Sequence, residues 1–113
     1  MPFYAETVSL EIVRSMGKVA KTIRKHDADL ARQLRRSVNS IALNVSEGER
    51  RTGRDQLHLY TIAAGSAKEA QRCLINAEAW GYVTAEDTAE PHRHLDRELG
   101  LLWGLTHKKK DDE

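Results

Sequence analysis

At 113 residues the chain has room for one domain and one core, and its 40% hydrophobic and 31% charged composition suits a surface-charged helical protein. Two prolines and few aromatics argue against a turn-rich all-β fold, and the lone Cys73 excludes an internal disulfide. No apolar run approaches the roughly 18 residues of a membrane span and no signal-peptide pattern opens the chain, so the expectation is a soluble, cytoplasmic protein with no membrane partner.

The net charge of +1 conceals an asymmetry. Residues 14–54 carry 11 Lys/Arg against 4 Asp/Glu, a local +7, and the remainder carries 7 against 13, or −6. Such a split places a positive field on one part of the fold, a footprint for a polyanion or an acidic protein; a set of solvated helix faces is the plainer reading.

The first helix is expected over about residues 5–25. Val8, Ile12, Val19 and Ile23 make one apolar stripe with Met16 near its edge, while Arg14, Lys18, Lys21 and Lys25 form a basic ridge on another face. Phe3 and Tyr4 precede it as a staple or a subunit contact. His26-Asp27-Ala28-Asp29 reads as a turn in which Asp27 or Asp29 caps a second helix over about residues 30–51. Leu30, Leu34, Ser37, Ile41 and Val45 form its seam, flanked by Ala31, Val38 and Ala42.

Thr52-Gly53 supplies a tight connection to a third helix over about residues 54–80, whose inward face is expected to follow Leu59, Ile62, Ser66, Cys73, Ala77 and Trp80. Within it, Gly65 costs about 1 kcal/mol relative to alanine, which close approach of another helix would offset. Gly81 stops this helix. Thr84 caps a fourth over about residues 84–107, with a seam of Leu95, Leu99 and Leu102 and Leu105 or Trp103 beside it. Pro91 either kinks that helix or marks a restart. Residues 108–113 are a charged tail. Four amphipathic helices joined by short turns form an all-α, antiparallel up-down-up-down bundle spanning residues 1–113 as a single domain.

Little in the sequence points to catalysis or to a metal. His92 and His94 are two apart and diverge on a helix, and the other histidines are scattered. Cys73 reads as a small core residue. Gly65-Ser66-Ala67-Lys68 lacks phosphate-loop spacing and falls inside a helix. The expectation is a non-enzyme with no catalytic residues, no metal and no cofactor. Polar residues inside the apolar stripe need partners: Ser37, Ser40 and Asn44 share one side of the second helix. Ser40, Asn44 and Glu47, with Gly65, Ser66 and Glu69 of the third helix, are assigned to a structural polar clamp.

Leu34-Arg35-Arg36-Ser37, Ser40-Ile41, Asn44-Val45, Glu47-Gly48 and Arg51 resemble the second-helix signature of the four-helix-bundle proteins encoded in intervening sequences of large-subunit ribosomal RNA genes. Ile62-Ala63-Ala64-Gly65-Ser66 with Glu69 is similar to that family's third-helix pattern, and Trp80-Gly81-Tyr82 to its helix end. Pro91 with His92 and His94 departs from the pattern. The family includes the accessory variability protein of diversity-generating retroelements. The resemblance implies a homopentamer of bundles arranged as a barrel, and in the retroelement branch a reverse transcriptase and nucleic acid as partners.

Two functional readings follow. In the first, the protein is a non-catalytic nucleic-acid-binding accessory factor, contacting RNA or DNA phosphates through Arg14, Lys18, Lys21, Lys25, Arg32, Arg35, Arg36, Arg50, Arg51 and Arg54. Scarce aromatics argue against single-strand stacking. Arg36 and Arg51 have a second role open to them, as structural partners of Glu47 or Glu69. In the alternative reading the protein is a scaffold whose basic face binds an acidic partner or a neighbouring subunit.

Overall fold

A computed structural model describes residues 4–107. It contains four helices, α1 (Tyr4–His26), α2 (Ala28–Glu49), α3 (Gly53–Ala79) and α4 (Ala85–Thr106), packed into a rod of 49 × 22 × 21 Å. Each helix packs on its neighbours in sequence and α4 closes back on α1, which gives the square cross-section of an up-down bundle. Phe3 and the charged tail at 108–113 lie outside the described residues.

Local chemistry sets the turns. Asp27 alone separates α1 from α2; its backbone is extended and its side chain accepts a hydrogen bond from the Leu30 N–H at 3.0 Å. After α2, the Gln56 amide donates to the carbonyls of Gly48 and Arg51, and Gly53 takes φ +60°. At the end of α3, Gly81 adopts φ +80°, the Gly81 N–H bonds Glu78 and the Tyr82 N–H reaches back to Ala77, the paired bonds of a Schellman stop. A Thr84/Asp87 capping box opens α4.

In α1 and α2 the large aliphatic residues bury as their spacing requires: Val8, Ile12, Val19 and Ile23 face Leu30, Leu34, Ile41 and Val45, with Met16 fully in the core rather than at its edge. The inward face of α3 differs from the expected one. Tyr60, Ala63, Ala67, Ala70, Leu74 and Ala77 are buried together with Ser66 and Cys73, whereas Leu59 is half-buried, Ile62 is exposed and Trp80 is 71% exposed. The reason is steric: a stripe of alanines lets α3 lie close to α2, and these two helices form the most extensive interface of the bundle.

The glycine that this approach requires is Gly48, not Gly65. A Cβ at Gly48 would stand 2.6 Å from Tyr60 Cε1, while one at Gly65 would meet nothing within 4 Å. Helix α4 runs without interruption through Pro91, so no restart occurs there; the ring is buried in the seam, which offsets the backbone bond it forgoes.

The α4 seam is Thr88, Pro91, Leu95, Glu98 and Leu102, with Leu99 half-buried and Trp103 and Leu105 exposed. Glu98 is the anomaly. It is 0% exposed, and among the described residues neither carboxylate oxygen has a hydrogen-bond partner. Burial pushes its pKa up to about 8, with Arg97 pulling weakly the other way, so the buried side chain is a neutral acid at pH 7.

This packing can be tested at two positions. Gly48→Ala should destabilise the fold by about 1–3 kcal/mol in urea unfolding despite its better helix propensity, whereas Gly65→Ala should be neutral or stabilising by about 0.5–1 kcal/mol. For Glu98, the unfolded carboxyl ionises near 4.5 and the folded one near 8. Between these values the unfolded state has lost a proton that the folded state retains, so stability falls as pH rises through the window and levels off above it. Glu98→Met should flatten that slope, changing Tm little at pH 4.5 and raising it clearly at pH 8, a gain of a few kcal/mol.

Candidate functional site

The ten basic residues singled out by sequence do not form one surface. Lys21, Arg32, Arg35 and Arg36 line a groove of about 750 Å³ between α1 and α2, joined there by Arg24, which the charge pattern alone did not single out. Its floor is apolar, made by Val13, Met16, Ala20, Ala31, Leu34 and Val38, and no acidic residue lines it. Small residues create the opening: Gly17, where a Cβ would meet nothing, and Ala20 on α1 face Ala28 and Ala31 on α2. The volume they leave is rimmed by long cationic side chains whose stems cover the apolar floor while their heads stay in water.

Within this groove Arg32 is ion-paired to exposed Asp29 one turn earlier. Among the described residues Lys21, Arg24, Arg35 and Arg36 make no ion pair. Four like charges left uncompensated around one cleft repel one another, which makes an anionic occupant favourable.

The other basic residues sit elsewhere. Arg14, Lys18 and Lys25 lie on α1 outside the groove; Lys18 interacts electrostatically with Asp87 at the start of α4, which offsets its charge. Arg50, Arg51 and Arg54 gather at the α2–α3 turn among Glu47, Glu49 and Asp55. There Arg51 donates to Glu47 Oε2 from both Nε, at 2.9 Å, and Nη2, at 2.5 Å. This bond, with the attraction of the guanidinium, holds the Glu47 carboxyl below its usual range. Glu49 is pushed the other way by sharing a hydrogen bond with Glu6 of α1, so this end of the bundle is mixed in sign.

Of the residues assigned to a polar clamp, the fold brings together Ser40, Asn44 and Ser66. The Ser40 and Ser66 hydroxyls lie 2.8 Å apart across the α2–α3 interface, and Asn44 Nδ2 donates to the Ser40 carbonyl at 2.8 Å and hydroxyl at 3.1 Å. Glu47 is engaged with Arg51 instead, and Gly65 and Glu69 face outward. The reason is register: the alanine stripe turns Ser66 inward and rotates Gly65 and Glu69 to the opposite side. Arg36 reaches neither acid and faces the groove.

At the α3–α4 interface titratable groups meet one another. Glu78 Oε2 accepts from Thr88 at 2.8 Å and lies 3.2 Å from His92 Nε2, bracing α3 against α4. Cys73 is buried, and desolvation raises its thiol pKa. Among the described residues no three of His, Cys, Asp and Glu assemble as a metal site, and no helix is long and apolar enough to cross a membrane.

Fold and groove together define a small four-helix-bundle protein with a cationic cleft between its first two helices. The chain belongs to the family described as 23S rRNA-intervening sequence protein, which it matches over residues 5–104. It is similar in fold to a crystal structure of a protein with unknown function from the S23 ribosomal protein family of Bacteroides thetaiotaomicron. That likeness has a TM-score of 0.82 at 24% identity and covers 92% of this chain and 99% of the other. Among curated proteins, none matches it in sequence.

The clamp yields its own test. Ser40→Ala, which strips a partner from both Ser66 and Asn44, should cost about 1–2 kcal/mol, and Ser66→Ala less, because Asn44 still satisfies Ser40. A double-mutant cycle by urea denaturation should return a coupling of about 0.5–1.5 kcal/mol.

Proposed function

We propose that this protein is a non-catalytic RNA-binding accessory factor that holds the phosphate backbone of its ligand in the α1–α2 groove. One observation carries the reading: Lys21, Arg24, Arg35 and Arg36 converge on a single cleft without an acid among its lining residues and without ion-pair partners among the described ones. Arginine and lysine at phosphate give affinity and orientation without sequence readout, which suits an accessory role. Membership of a family named for a ribosomal RNA intervening sequence supports RNA as the polyanion. Large apolar side chains left exposed on α2 and α3, Leu43, Ile62 and Ile75, support the homo-oligomer that the resemblance implies, in which a ring would repeat the groove. A reverse-transcriptase partner rests on the resemblance and is tested by co-purification.

The apolar floor favours a second reading, in which an acidic amphipathic helix of a protein partner lies in the groove with its apolar face down. The two readings differ in salt response. Binding of a structured RNA, measured by fluorescence anisotropy over a salt series, should weaken steeply with salt. Joint Arg35→Glu and Arg36→Glu substitution should reduce affinity at least about tenfold and lower the log–log slope by about 1 for each phosphate that is no longer neutralised. Joint Arg50→Glu and Arg54→Glu substitution at the mixed-charge end should have a smaller effect. Equal losses from both pairs, or no binding at low salt, would overturn the groove as an RNA site.

A further inference from the structure

The groove runs toward the α1–α2 turn, and at that turn three aromatic rings from two distant parts of the chain are stacked. His26, the last residue of α1, lies against Tyr82 with centroids 5.1 Å apart and planes 2° from parallel. Tyr82 in turn lies against Trp80 at 6.2 Å and 11°. Trp80 ends the stack and is 71% exposed. We infer that this triad is a stacking platform for an unpaired base of an RNA strand whose phosphates occupy the adjoining groove, an assignment that rests on the RNA-binding reading.

The Tyr82 ring at the middle of this cluster is held in place without a ligand. Gly81 at φ +80° reverses the chain so that Tyr82 returns over the bundle end, its N–H bonds the Ala77 carbonyl at 2.9 Å, and its hydroxyl donates to Asp27 Oδ2 at 3.4 Å. Preorganisation lowers the entropic cost of binding a planar group. Cations adjoin the stack: Arg24 and Lys25 immediately precede His26, and Arg24 is itself a groove residue, while Glu86 and Asp87 open α4 at the same end. Asp27, the acid beside them, is already engaged by the Leu30 N–H and by Tyr82. An aromatic face next to cations is the arrangement that receives single-stranded nucleic acid. The other stack, Trp103 on His107 at 4.3 Å, lies at the opposite end of the bundle, away from the groove, and serves as the control. Composition alone argues against stacking; the proposal rests instead on Trp80 and Tyr82 meeting His26 at one end.

The test compares an unstructured oligoadenylate with an abasic phosphodiester of the same length and charge. Wild-type protein should bind the oligoadenylate about tenfold or more tightly than the abasic strand. Trp80→Ala should abolish that difference while leaving abasic binding unchanged, and Trp103→Ala should preserve it. In a Trp103→Phe background Trp80 is the chain's single tryptophan, and its emission should be quenched by oligoadenylate but not by the abasic strand. Equal affinity for the two strands, or no quenching of Trp80, would overturn the platform and leave the groove intact. Failure of both strands to bind at low salt would overturn the groove and the platform together.

Discussion

The close approach of α2 and α3 is the constraint on which the rest of the bundle depends. It is made by residues with little or no side chain: Ala63, Ala67, Ala70 and Ala77 along α3, and Gly48, against which the Tyr60 ring rests. Close packing on that side fixes the rotation of α3, and the rotation decides everything downstream of it. Ser66 is turned in to meet Ser40, Ile62 and Glu69 are turned out, and the α3 terminus delivers Trp80 and Tyr82 to the bundle end.

On the opposite flank of α2 small residues have the reverse consequence. Between α2 and α3 the space that alanine and glycine leave is filled by the approaching helix. Between α1 and α2 the one-residue turn at Asp27 fixes the ends, and the space left by Gly17, Ala20, Ala28 and Ala31 stays open as a groove. Arginines on its rim cannot close it, because their charge is best solvated and their mutual repulsion keeps the heads apart. The same kind of residue thus produces both the most extensive helix interface and the cationic cleft between α1 and α2. Glu98 marks the centre of the core as a neutral acid and has no evident part in either surface.

How much of this is readable from sequence depends on which residues carry the signal. The stripes of α1 and α2 are legible because they are made of Ile, Leu and Val, whose burial is strongly favoured and whose period is plain. The stripe of α3 is not, because alanine contributes little to a hydrophobic pattern, and the larger Leu59, Ile62 and Trp80 draw the reading to the wrong face. Glu98 was legible in principle: Thr88, Pro91, Leu95, Glu98 and Leu102 alternate in steps of three and four, but a charged residue is ordinarily assigned to the surface. Basic charge concentrated in residues 14–54 shows in the sequence, yet the groove depends on volume missing between two helices, so neither the inclusion of Arg24 nor the separation of Arg50, Arg51 and Arg54 could be seen. His26 and Tyr82 are far apart in the chain, and only the fold shows that they stack.

Whether ligand RNA lies along the α1–α2 groove, as proposed, can be read by photo-cross-linking. RNA carrying 4-thiouridine would be irradiated with the intact protein and the attached peptides identified by mass spectrometry. Cross-links should concentrate around Lys21, Arg24, Arg35 and Arg36 if RNA occupies the groove. Cross-links concentrated instead around Arg50, Arg51 and Arg54, with the groove peptides unmodified, would contradict it.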